Sequence, residues 1–336
     1  MLYATTRDPE GNYTAQWALT SDRAPDGGFY VPFRPPYFYK SNLKTLREKP
    51  FLQVEADCLN LLFSTRITDF DLMFAAGPSP VRIFPLGRRT LSGERWRNTD
   101  WTIEGYVSQV SRLLRVEKEK GYGTWGKIGI SMSILMAMIL RLQAEEILPR
   151  DESVDIALGS DDLLTAAACL YLKDWGLPIG KVICGCRESK GLWELLHHGQ
   201  MHTDVLEPDS PMVDGLEMLL AAESYQAEVR RFLNCVEHGK SYVPADSLLR
   251  KLRQDLSASV ISEKRRKNTV PKVCLSYHYI LSFDGAQAYA ALLDDRAVSG
   301  SGNYSLVLCD SFPGLHLKEL SESLKLSEQE TDRLLK

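Results

Sequence analysis

VDIALGSDDLLTAAACLYLKDWGLPIGKVICGCRE, residues 154–188, decides the fold of this chain. Val154 to Leu158 has the length and apolar content of a buried strand. Gly159-Ser160-Asp161-Asp162 is a short polar turn. The apolar run from Leu163 to Trp175 predicts a helix. Gly176 stands where a left-handed cap would end it, with Pro178 just beyond. Lys181 to Cys186 predicts a second strand. Strand, helix and strand in about 33 residues is the size of a parallel crossover, whose two strands lie in one sheet. In an open α/β sheet, ligands bind at the carboxyl ends of the strands. The turn at Gly159 is therefore the first candidate site.

Composition narrows the class. The chain has 336 residues, 44% hydrophobic and 25% charged, with a net charge of −4. These are values of an ordinary globular protein and give no basis for nucleic acid or a membrane surface as partner. No apolar run reads as long enough to span a bilayer; the longest, Ile134 to Leu142, is broken by Arg141 and suits a buried helix. The amino terminus lacks the basic-then-apolar pattern of a signal peptide. Seven cysteines without paired spacing argue against a disulfide framework and for a reducing cytoplasm. Cys184-Gly185-Cys186 is not a metal-binding pair.

Either side of the central unit, further elements can be read. Ala24-Pro25-Asp26-Gly27-Gly28-Phe29-Tyr30-Val31-Pro32 is a tight turn followed by an extended run. Phe51 to Phe63 and Ile67 to Phe74 predict helices, Gly77-Pro78-Ser79-Pro80 a break, and Val81 to Leu86 a strand. Trp101 to Arg115 predicts an amphipathic helix, with EKEKGYGTWG after it, and Ile134 to Leu148 another helix. Gly191 to Gly199, Leu216 to Val236 and Ser247 to Leu256 are also helical in pattern. Lys264-Arg265-Arg266-Lys267 reads as a solvated loop; as a phosphate patch it lacks interleaved aromatics or a glycine turn. Asp284 is placed to cap the helix that follows it. Ser305 to Cys309 is a strand, and the charged tail a surface helix. His197 and His198 fall at a helix end and read as exposed. No nucleophile elbow, HExxH or Walker pattern occurs.

Several of these stretches resemble threonine synthases, pyridoxal-phosphate enzymes of fold type II. Residues 1–32, above all Ala24 to Pro32, are similar to the family's amino terminus. GSDDLLTAAACLYLKDWGLPI is similar to a family segment in which a G-N-F-G-D turn precedes a helix and M-G-L-P-I. The resemblance covers residues 1–95, 128–190 and 205–320 in the family's order. It implies an α/β fold: an open, mostly parallel sheet with flanking helices, like the large domain of fold type II enzymes. The small domain is expected to be largely deleted between the first two blocks. The expected division is 1–95, a threonine-synthase-like amino-terminal region, and 96–336, an α/β core domain.

The same resemblance implies a changed site. Against the family's H-G-P-T-L-A-F-K-D, this chain has Gly87-Arg88-Arg89-Thr90-Leu91-Ser92-Gly93-Glu94-Arg95, and Glu94 falls at the lysine. Pyridoxal phosphate is held by a lysine imine, which a carboxylate cannot form. The family's phosphate turn, S-G-D-T-G, has no counterpart. Where its Y-x-L-D-P-H-T-A-V-A-Y carries a threonine for the pyridine nitrogen, Gly285 stands, with Asp284 in place of the histidine. In the turn, Asp161 and Asp162 occupy the helix rim that would face phosphate. Gly159, Ser160, Asp161, Asp162, Asp284 and Gly285 are thus expected as vestigial pocket positions.

Three readings follow. In the first, no cofactor is bound and the chain has a binding or regulatory role toward an unknown small molecule or protein. In the second, it remains a pyridoxal-phosphate lyase for an O-phosphorylated amino acid such as phosphohomoserine, using Lys127. In the third, Glu94, Asp161, Asp162 and Asp284 support other chemistry around a metal; for the two adjacent Asp alone, helix capping is the simpler account. A truncated sheet would expose an apolar face, so a homodimer is expected.

Overall fold

In the computed structural model, the strands and helix of the central unit span Val154–Leu158, Leu163–Asp174 and Ile179–Cys186. The structure describes residues 1–34, 36–77, 81–98, 100–114, 123–159, 162–223 and 226–336. The break at residues 78–80, residues 115–122 between the first two blocks of the resemblance, and Ser160 and Asp161 lie outside them. Gly176 takes φ +99°. Its N–H donates to Lys173 O and that of Leu177 to Leu172 O, both at 3.0 Å, which closes the helix end.

Nine strands occur among the described residues: β1 (Leu2–Thr5), β2 (Tyr13–Thr14), β3 (Tyr30–Pro32), β4 (Arg82–Pro85), β5 (Thr90–Glu94), β6 (Val154–Leu158), β7 (Ile179–Cys186), β8 (Leu256–Val260) and β9 (Tyr304–Cys309). The main sheet has the order β4-β5-β9-β6-β7-β8. Only β4 pairs antiparallel; the other neighbours are parallel. An open, mostly parallel α/β sheet is therefore present, and residues on both sides of position 95 build it. A second, three-stranded sheet, β2-β1-β3, is antiparallel.

The strands alternate between two apolar layers, as a period of two requires. Val154, Ile156 and Leu158 join the large core with helices Thr124–Ala144 and Leu163–Asp174. Ala157, Ile183 and Val307 face the other way, against Ala288 and Ala291 of helix Phe283–Ser299. Small residues let that helix lie close on the sheet. A Cβ on Gly185 would sit 3.0 Å from Gln287 O, and Gln287 Nε2 donates to Gly185 O at 2.8 Å.

The helix read from Ile134 starts at Thr124 and ends at Ala144. This corrects the expectation that no run is long enough to span a bilayer. By length and composition the helix could, yet 89% of its apolar window is buried inside the protein. Gly129 interrupts hydropathy, but not the helix, because Phe63 fills the space its side chain would take. The basic run at 264–267 is also not a loop: it opens helix Glu263–Tyr277. The tail forms two helices, Leu317–Leu324 and Glu328–Leu335, broken at Lys325 with φ 56°.

The Ala24–Pro32 stretch forms the expected turn, with Gly27 at φ +79° and Gly28 N–H on Asp26 Oδ1 at 2.9 Å. Its role is to dock the small sheet. Glu217, fully buried on helix Pro211–Glu223, accepts from Thr6 and lies 3.7 Å from Arg7 and 3.6 Å from Arg23.

Candidate functional site

Four parallel strands end at one cleft. The residue after each strand is Arg95 for β5, Asp310 for β9, Gly159 for β6 and Arg187 for β7. Gly159, Arg187 and Asp310 line a cavity of about 380 Å³ together with Glu104, Asp162, Arg266, Asp284 and others. Arg95 lies beneath it, with its side chain fully buried. Its Nε donates to Asp310 Oδ1 at 2.7 Å, and Nη2 lies 3.7 Å from Asp162 Oδ2. One guanidinium thus joins the ends of three neighbouring strands. Its Nη1 and Nη2 make no hydrogen bond among the described residues. Opposite, Arg266 stacks over Phe283 at 5.1 Å, and His316 meets the same ring edge-on at 6.2 Å.

The residues expected at the site come together only in part. Gly159, Asp162 and Asp284 line the cleft. Asp162 caps the 163–174 helix by accepting from Thr165 N–H at 3.1 Å. Asp284 does not cap its helix, contrary to the sequence reading. Ser282 does, while Asp284 sits in the first turn and accepts from Asp310 N–H at 2.6 Å and from Ser311 Oγ. The polar partners at the end of β9 draw the carboxylate across the cleft, which local sequence could not reveal. Gly285 faces away from the cleft: a Cβ there would meet Cys309 Sγ at 2.6 Å. Glu94 is buried and does not line the cavity; its carboxylate accepts from Arg97 Nε at 2.6 Å and Tyr279 OH at 2.8 Å. Arg95, Glu104, Arg187 and Asp310 were not singled out from sequence, and Arg266 was read only as part of a solvated basic loop. The position directly after a parallel strand was the usable signal for Arg95, Arg187 and Asp310.

Gly159 is required by contact. An added Cβ would lie 2.2 Å from the carbonyl oxygen of Asp284, and main chain cannot swing aside as a side chain can. Gly159→Ala should therefore cost about 2 kcal/mol of stability. Urea unfolding reads this directly, and an unchanged midpoint would show that the turn relaxes freely.

Electrostatically the cleft has an acidic floor. Burial first, and the charge of Asp310 second, raise the carboxyls of Asp162 and Asp284 above their ordinary range. Burial raises Glu104 as well. For Arg95, burial works against the cation, but the Asp310 and Asp162 charges outweigh it, so it stays protonated. The cleft therefore offers carboxylates to a cationic group and arginines, at Arg187 and Arg266, to an anionic one. Among the described residues no cluster of three or more His, Cys, Asp or Glu could hold a metal ion. The metal reading is thus without a ligand set there, and Glu94 is engaged elsewhere.

The side chains do not fit a lysine-tethered aldehyde cofactor. Among the described residues no lysine lines the cavity. The helix N-terminus that would face a phosphate already holds the Asp162 carboxylate. Lys127, the other candidate amine, is exposed and exerts its charge on Asp214.

Comparison with known proteins places these features. A family model described as Threonine synthase N terminus matches residues 2–75. Threonine synthase-like 1 of Macaca fascicularis and that of Pongo abelii are each 23% identical over 218 residues. The match takes in 59% of this chain and 29% of theirs, so the chain spans well under half of these relatives. Among solved structures, a PLP-bound threonine synthase from Brucella melitensis superposes with a TM-score of 0.80 at 15% identity, over 96% of this chain and 91% of that one. The yeast enzyme gives 0.79 at 13%, over 99% and 93%. The chain is thus similar to threonine synthases in its amino-terminal region and shares the fold of the solved threonine synthases.

Proposed function

We propose that this threonine synthase-like chain works without tethered pyridoxal phosphate, as a binding or regulatory protein. Its cleft would take a small molecule bearing both an amine and an anionic group. The reading is carried by Glu94: the sequence resemblance puts it at the family's lysine position, and its carboxylate is held by Arg97 and Tyr279. Arg187 and Arg266 supply places for the anion, and Asp162, Asp284 and Glu104 for the amine. Added pyridoxal phosphate should give no imine absorbance band. A stoichiometric, borohydride-fixed adduct mapped to a single lysine would overturn the reading.

The other reading, a carbon–oxygen lyase acting on an O-phosphorylated amino acid such as phosphohomoserine, would need Lys127. That residue lies outside the cleft lining. Lyase activity lost in Lys127→Ala would favour it. A reducing compartment such as the cytoplasm accords with five of the seven cysteines being buried in the interior.

A further inference from the structure

The basic run at 264–267 is divided by its helix. Successive helical residues point about 100° apart. Arg265 makes a two-pronged contact with the Asp294 carboxylate, at 2.6 and 2.5 Å. Arg266 turns to Phe283 and the cleft. Lys267 lies 2.9 Å from Glu263 and 3.5 Å from Glu319. Lys264 has no such acid among the described residues, and neither has Lys272, two turns further on. Both line a second cavity of about 380 Å³, between the 263–277 and 283–299 helices.

The lining of this groove has a definite chemical order. Lys264, Asn268, Lys272 and Ser276 recur every fourth residue and so form one stripe. The two lysine Cα atoms stand roughly 12 Å apart along the axis. Their flexible stems can close on one anion from either side, with the Asn268 amide between them. Below the stripe the floor is apolar, from Val273, Ala290 and Leu293. Cations in excess of acids, neutral donors between them and an apolar floor match a compact dianion attached to an apolar body.

We propose that this groove is a binding site for a small organic phosphate monoester, separate from the cleft at the strand ends. The phosphate sits between Lys264 and Lys272, and the organic part rests on Val273, Ala290 and Leu293. The size of the groove is that of a small-ligand pocket.

Calorimetric titration of the full chain with phenyl phosphate at low ionic strength tests it. Saturable binding at one site is expected, tighter than for inorganic phosphate, which cannot use the apolar floor. The double variant K264Q/K272Q should weaken it about tenfold or more, since two charge-assisted contacts are lost. Both lysines are solvent-facing, so the variant should unfold at the native midpoint. R187Q, which alters the cleft and not this groove, should bind phenyl phosphate normally. The proposal is overturned by an absence of saturable binding to the native chain, by equal affinity for inorganic phosphate, or by native affinity in K264Q/K272Q. Loss of binding in R187Q would likewise overturn it, by moving the ligand to the cleft.

Discussion

Arg95→Met is expected to lower the unfolding free energy by about 3 kcal/mol at neutral pH, the low end of the range for breaking a buried ion pair. The methionine fills most of the space, so the loss is electrostatic. Without the guanidinium, Asp162 and Asp310 face one another under the cleft with Asp284 alongside. The low end applies because the side chains of Asp162 and Asp310 keep 30% and 19% of their exposure, and water screens part of the repulsion. The sign of the pH dependence follows. In the variant the Asp162 and Asp284 carboxyls titrate higher when folded than when unfolded, so the native state binds more protons. The deficit should shrink on acidification. Urea unfolding of both proteins across the acid range measures it. A loss below about 1 kcal/mol, the range of exposed pairs, would show that Arg95 is no keystone.

Glu55 should impose the second large effect, on the native protein itself. It is fully buried on helix Phe51–Phe63 and accepts from Tyr106 OH, while its other oxygen has no hydrogen bond among the described residues. Burial pushes its carboxyl up to about 7, against an ordinary 4.5, and the Tyr106 hydrogen bond only moderates this. The folded chain therefore holds a proton that the unfolded chain has released. This contribution to stability is fully present below the unfolded value and is lost as pH rises through the folded one. The loss should total about 3 kcal/mol. Glu55→Gln keeps the acceptor for Tyr106 and has no proton to lose. Its stability relative to the native chain should thus rise across that window and stay level outside it. A difference that is flat with pH would mean that Glu55 is ionised in the fold.

The central crossover was legible because every local signal agreed: strand-length apolar run, apolar helix, Gly176 and Pro178 as a stop. β5 and β8 were not. Thr90-Leu91-Ser92-Gly93-Glu94 and Leu256-Ser257-Ala258-Ser259-Val260 carry too few apolar residues to read as strands. β5 is nonetheless wholly buried, since sheet neighbours and side chains distant in sequence satisfy its polar groups; Thr90 Oγ1, for example, accepts from Arg296 Nη1 at 2.8 Å. Helix 263–277 was obscured by its charges and by Pro271, a residue that removes a donor from the helix interior. Gly159 and Asp162 could be read as a site because they share one turn. The ion pair beneath them could not, since Arg95 and Asp310 are 215 positions apart. Only the parallel register of β5 and β9 brings them side by side.

The splaying of residues 264–267 limits what the chain can adhere to. Four positive charges in a row along the polypeptide look like a landing strip for nucleic acid or an anionic bilayer. On the folded surface they radiate outward like spokes, and two of them are already matched by acids. An extended polyanion lying flat against this flank would meet one or two spokes at a time, and the remainder would point past it or into the protein.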